Sequence, residues 1–295
     1  MTTIPTAPKT SVIAATSRTK PRLPVSLPVL SAIFLGVLII VAIAAPSIAP
    51  FDPNQQALAN RLASPSATNW LGTDDYGRDV LSRLIFGARA SLSAAAIAVG
   101  VALVIGLPLG VISGYVGGWF NAIVSRAMDA LMSTPGLVLA LSIVAVLGPG
   151  IVKAMFAVGI VMAPRVFRVA RATTADIRGE TYIEAAISVG TAPVRILARN
   201  ILPNVMPPII LVTAVSLGSA VAAEASLSFL GLGVRAPEAS WGSMLSSAAS
   251  NVLVAPHLVW PPGIMIFLSV LAFTYLGDGL RRATLKDRAS VGGRS

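Results

Sequence analysis

From Leu23 to Phe51 no side chain carries a charge. A helix needs about 20 consecutive apolar residues to cross the hydrocarbon core of a bilayer. Inside that core every backbone amide must be satisfied within the segment, which leaves the helix as the form for such a run. The first span is set at residues 28–49. Similar runs follow at roughly 91–113, 122–147, 151–169, 205–228 and 258–280. The pattern predicts an all-α polytopic membrane protein with six transmembrane helices. Composition agrees, because 12% of the residues are charged, against about 25% in ordinary soluble domains. A cleaved signal peptide is the rival reading of the first run, but the run exceeds the roughly 7–15 apolar residues of a signal core.

The net charge of +10 invites a nucleic-acid reading, and its distribution argues against one. Lys9, Arg18, Lys20 and Arg22 precede the first run, and Arg165, Arg168, Arg171, Arg178, Arg195 and Arg199 cluster from the inner end of the fourth onward. Arg281, Arg282, Lys286, Arg288 and Arg294 follow the last. With both termini cytoplasmic, these segments fall inside, as membrane orientation requires. The layout is then a cytoplasmic tail (1–27), the first helix (28–49), an extracytoplasmic segment (50–90), a five-span core (91–280) and a second cytoplasmic tail (281–295). There is no Cys and one His, His257, which excludes disulfides, thiol chemistry and a His/Cys zinc site. No Walker A pattern occurs, and none of Lys9, Lys20, Lys153 and Lys286 follows a Gly. No G-x-S-x-G elbow occurs either. An enzyme is not expected.

Between the fourth and fifth spans, about 172–204, lies the one long polar stretch with strong helix signals, YIEAAISVGTAPVRILARNILPN from Tyr182 to Asn204. Thr181 and Glu184 have the spacing of a capping box. Gly190 supplies a helix stop. Thr191 is placed to cap a second helix with Pro193 in its first turn, and Pro203 to end or bend it. On the other side of the membrane, Asp79 and Arg83 are spaced for an i,i+4 pair on an amphipathic helix leading into the second span. Arg126 and Asp129 are spaced to pair on one face. Ser133-Thr134-Pro135-Gly136 interrupts the third span, and irregular backbone at that depth suits a protein-lined or water-lined interior. Asp129, Pro135 and the intramembrane Glu224 are therefore pore or gating candidates. Glu224 lies toward the outer end of its span, which favours a structural hydrogen-bonding role.

Four blocks, in this order, carry a resemblance: LGTDDYGRDVLSRL (from Leu71), the loop with Glu184-Ala185-Ala186, Gly190 and Leu202-Pro203, SFLGLG with SWG (from Ser228 and Ser240), and LGDGLR (from Leu276). Together they resemble the inner-membrane permease subunits of dipeptide, oligopeptide and nickel ABC importers. Asn200 stands where that loop pattern favours an apolar residue. The resemblance implies an ABC-importer permease fold with a cytoplasmic EAA coupling loop, in the bacterial cytoplasmic (inner) membrane. It implies a homologous second permease subunit, ABC ATPase subunits and an extracytoplasmic solute-binding protein as partners. ATP and Mg would bind those ATPase subunits, with no cofactor in this chain. Glu184, Ala185, Ala186, Gly190, Leu202 and Pro203 would form the ATPase-coupling loop, and the cargo would be peptides. The alternative is an ion-gradient-driven secondary transporter, which should show internal repeats and midplane acids.

Overall fold

The computed structural model describes residues 26–292, and side chains from 27 to 283. The cytoplasmic-tail expectation for residues 1–27 falls almost wholly outside them. The long elements among the described residues are all helices: α1 (Ser26–Ile48), α2 (Val80–Val116), α3 (Gly118–Met132), α4 (Gly136–Leu147), α5 (Ile151–Arg178), α6 (Thr181–Ser188), α7 (Pro193–Ile196), α8 (Leu202–Phe229), α9 (Trp241–Ser250) and α10 (Trp260–Gly292). Four helical stretches are long and apolar enough to cross a membrane: Leu27–Ile48, Val80–Val116, Pro193–Phe229 and Pro256–Ala283. The pair α3–α4 meets the same test together but bends by 93°. Helix α5 has the length, 28 residues, but Lys153 and its Arg series raise its charge above that of an ordinary span.

Helices α2 and α5 form the central pair. Their seam is built from glycine. A Cβ on Gly106 would lie 2.5 Å from the Ala163 carbonyl oxygen, one on Gly110 2.6 Å from that of Phe167, and one on Gly114 2.5 Å from that of Arg171. Residues four apart share one helix face, so these three glycines let the two backbones touch over two turns. Without a hydrophobic force between helices in lipid, such close packing is what holds spans together. Helix α8 packs on this pair, α10 on α8, and α1 on α10 and α2.

Several boundaries differ from the sequence reading. The helix that holds the second span begins before Ser91. Helix α2 starts at Val80 and absorbs the expected surface helix, because Asp79 caps it by accepting from the Ser82 amide and hydroxyl, both at 2.8 Å. Asp79 is therefore not the partner of Arg83. Helix α10 continues past Leu280 to Gly292, so residues 281–292 extend the last helix. The interruption expected at Ser133–Gly136 is present, and two helices meet there, since Pro135 can neither donate a backbone hydrogen bond nor follow a helical turn without clash.

Candidate functional site

The segment between α5 and α8 is a short helical hairpin fastened from below. Ile183, Ile196, Ile201 and Val205 are fully buried and pack with Val166 and Ala170 of α5 and with Ala102 and Val111 of α2. The turn is a Schellman motif: the Gly190 amide donates to the Ile187 carbonyl at 2.9 Å and the Thr191 amide to that of Ala186 at 3.0 Å. This 5→2 and 6→1 pair needs a left-handed residue, and Gly190 has φ +77°. The capping box is absent. The chain enters α6 extended at Glu180, whose carbonyl accepts from both Ile183 and Glu184, so Thr181 is already helical and its hydroxyl does not cap. Ala192, not Thr191, precedes α7, and Pro193 occupies the first turn.

Pro203 does not end the second helix. Residues Leu197–Ile201 widen into a π-turn, with the Leu202 amide reaching back five residues to the Leu197 carbonyl, and the axis continues into α8. Widening accommodates a missing amide and a ring that would crowd an ordinary turn. Above this base the hairpin offers an apolar face: Tyr182, Ile187, Val189 and Val194 are exposed, the last two at 80% and 76%. Glu184, Ala185, Leu202 and Pro203 are exposed beside them, whereas Ala186 is half-buried against the Ile183 cluster.

Asp129 pairs with Arg168 of α5, Oδ1 to Nη2 at 2.7 Å, rather than with Arg126. Arg171 donates to Asn121 at 3.2 Å and Ser125 at 3.0 Å, so α3 is tied to α5 by polar contacts along its length. Pro135 sits in the exposed break between α3 and α4. Glu224 is elsewhere. It is fully buried, and its carboxylate accepts from Ser91 Oγ at 2.9 Å and Ser228 Oγ at 2.6 Å. Ser91 Oγ in turn accepts from the Trp241 amide at 3.2 Å, and the Trp241 indole donates to the Leu84 carbonyl. Glu224 thus links α9 to α2 and α8 through Ser91 and Ser228.

On the same side, the GTDDYGRDVLSR block folds into a polar knot. Asp74 accepts from Arg78 Nε at 2.7 Å and lies 3.3 Å from Arg83 Nε. Arg83 also donates to the carbonyls of Pro53 and Pro237 at 2.9 and 3.2 Å. One guanidinium thereby ties together the outer segment, α2 and the loop before α9.

Residues 106–287 match the family described as the inner membrane component of binding-protein-dependent transport systems. The chain belongs to this family. Residues 26–65 match the N-terminal transmembrane domain of oligopeptide transport permease C. Curated relatives include the glutathione transport system permease protein GsiD of Escherichia coli strain 536 and of Shigella sonnei strain Ss046, each 43% identical over 254 residues, covering 86% of this chain and 84% of theirs. Among solved structures, the MetNI methionine ABC transporter in inward-facing conformations shares the fold, with a TM-score of 0.56 at 20% identity over 68% of this chain and 95% of that one. Membership in an ABC permease family sets aside the ion-gradient-driven carrier. Such a component is a membrane part of a transporter and does not itself hydrolyse ATP.

Two features of this permease component went unread in the sequence. One is the Gly106-x-x-x-Gly110-x-x-x-Gly114 series, a small-residue stripe visible as spacing alone. The other is Arg83, whose role as a tie between distant loops depends on where residues 53 and 237 come to lie. No local pattern announces it.

Proposed function

We propose that this chain is one of two pore-forming permease subunits of an ATP-driven importer of peptides, including glutathione-like peptides as its relatives' names suggest. Six spans with both termini cytoplasmic remain the topology proposed, counting α3–α4 and α5 as two of them. An extracytoplasmic binding protein would deliver cargo to the outer face, and partner ATPase subunits would carry ATP and Mg.

The observation that carries this reading is the α6–α7 hairpin, which is rigid at its base and apolar on its exposed face. Tyr182, Val189 and Val194 form a surface that a partner would cover, with Glu184 available to a basic partner residue and Ala185 allowing close approach. Because Ile183, Ile196 and Ile201 fix the hairpin to α2, α5 and α8, a push on it moves those helices as a body. Coupling then means that the two states of the ATPase favour two arrangements of the spans.

The test is affinity purification from native membranes in mild detergent, with mass spectrometry of the companions, for the wild type and Glu184→Lys. A second permease and an ATPase should accompany the wild type, and the ATPase should be lost from the variant. Full ATPase recovery with normal peptide uptake by Glu184→Lys would refute the docking assignment.

A further inference from the structure

We propose that Arg165 and Arg168 of α5, with Arg126 of α3, form a cationic, water-filled inner vestibule that favours cargo of net negative charge. The proposal rests on the permease reading above and adds a charge preference to it.

Depth along α5 comes first. Near its outer end Lys153 Nζ donates to the Leu147 carbonyl at 2.7 Å, and at its inner end the Arg178 guanidinium stands 5.6 Å from the centre of the Tyr115 ring. These two cations are about 37 Å apart along a helix rising ~1.5 Å per residue. The hydrocarbon core is about 30 Å thick, so in the six-span topology proposed above they stand at or beyond its two edges. Arg165 and Arg168 then lie roughly 18 and 22 Å along the helix from Lys153, at hydrocarbon depth. Both side chains are exposed on the chain's surface.

The break between α3 and α4 lies at the same level. A Cβ on Gly136 would be 3.0 Å from the Val161 side chain. Ser133, Pro135 and Gly136 are exposed there. Neither an exposed guanidinium nor interrupted backbone is tolerated against lipid. Two independent features therefore exclude lipid from this one face, and burying the unpaired Arg165 and Arg126 guanidinium groups in dry protein is costly, which favours water there.

The charge balance gives the preference. Asp129 is the carboxylate that reaches this face, and it is engaged with Arg168. Arg165 and Arg126 make no ion pair among the described residues. Arg126 is three residues from Asp129, on the same side of α3. Asp176 and Glu180 lie further toward the cytoplasm, near Arg178. A cleft with low-dielectric walls and an excess of one sign concentrates ions of the other, so an anionic peptide is drawn through the vestibule and a cationic one is opposed.

The absence of Cys permits a direct test. Ser133→Cys in the assembled transporter, in inside-out membrane vesicles, is reacted with an anionic and a cationic methanethiosulfonate of similar size. Both should modify it, with an anionic-to-cationic rate ratio above that of a free small thiol. Adding Arg165→Gln and Arg126→Gln should lower the ratio about threefold to tenfold, the scale of losing unit charges within a Debye length. No modification, or a ratio unchanged by the two substitutions, overturns the vestibule.

A cargo arm uses Ala-Glu-Ala, Ala-Ala-Ala and Ala-Lys-Ala uptake by the same transporter. Arg165→Gln should lower Ala-Glu-Ala uptake severalfold relative to Ala-Ala-Ala. An equal fall for all three overturns the charge preference. Loss of the ATPase from the purified complex overturns it too, by making this face a docking surface, while the permease reading stands. A wild type that imports none of the three refutes the peptide-cargo reading, and the preference with it.

Discussion

Substituting Gly110 by Ala tests whether the α2–α5 seam holds this fold together. The new Cβ would meet the Phe167 carbonyl oxygen at 2.6 Å, the Ala170 Cβ at 2.7 Å and the Arg171 amide nitrogen at 3.1 Å. Carbon atoms pack best at about 3.5–4.0 Å, so the two helices must part by close to an ångström along a seam where they are rigid. Overpacking of this kind costs about 1–3 kcal/mol. Replacing a mid-helix Gly by Ala returns about 0.5–1 kcal/mol of backbone entropy. The net expectation is a loss of about 1–2 kcal/mol. Gly100 in the same helix is the control, because a Cβ there meets nothing within 4 Å and Gly100→Ala should gain the entropy alone. The purified chain is unfolded reversibly in mixed micelles by rising dodecyl sulfate, followed by far-UV circular dichroism. Gly110→Ala should unfold earlier than the wild type and Gly100→Ala no earlier. Equal midpoints for the two variants would refute the close-contact argument.

Three further outcomes are expected. Gly190→Val places a β-branched side chain at φ +77° with nothing within 4 Å of the new Cβ, so its cost is conformational, about 1–2 kcal/mol. It should loosen the hairpin, seen as faster proteolysis between residues 181 and 200, and lower ATPase recovery. Glu224→Ala leaves the Ser91 and Ser228 hydroxyl protons without their acceptor beside a cavity and should cost about 2–4 kcal/mol, read as an earlier midpoint in the same unfolding assay. Asp74→Ala removes the carboxylate shared by the buried Arg78 and Arg83, leaving Asp75 3.8 Å from Arg78, a loss of about 3–5 kcal/mol where a buried pair is broken. Hydrogen exchange should rise across residues 50–79 while α5 and α8 keep their protection.

What was legible in the chain is what physics imposes locally. Uncharged runs such as Leu23–Phe51 must be helices in a bilayer, whatever surrounds them. Gly190 must turn the chain, Pro193 must begin a helix and Ser133–Gly136 must break one, because backbone geometry allows few alternatives at each. The blocks around Asp74, Glu184 and Trp241 were readable as a family pattern for the same reason: they are short, ordered and rich in unusual residues.

Partners chosen across the fold were not legible. Spacing offered Asp79 to Arg83 and Asp129 to Arg126; the cap of its own helix claimed the first carboxylate and a residue of another helix the second. Asp79 was taken by the start of α2, leaving Arg83 to Asp74, and Asp129 was taken by Arg168 once α3 lay along α5. An i,i+3 or i,i+4 pair on an exposed helix is worth only a few tenths of a kcal/mol, so a carboxylate is readily claimed by a cap or by a guanidinium brought near through packing. Packing in turn was decided by Gly106, Gly110 and Gly114, which set how closely two helices approach. The sequence by itself determined which segments are apolar enough for a membrane, and that the chain turns at Gly190 and breaks at Pro135. The tertiary structure decided which charges meet, Arg83 with Asp74 and Asp129 with Arg168, because packing and not spacing brings those groups within reach.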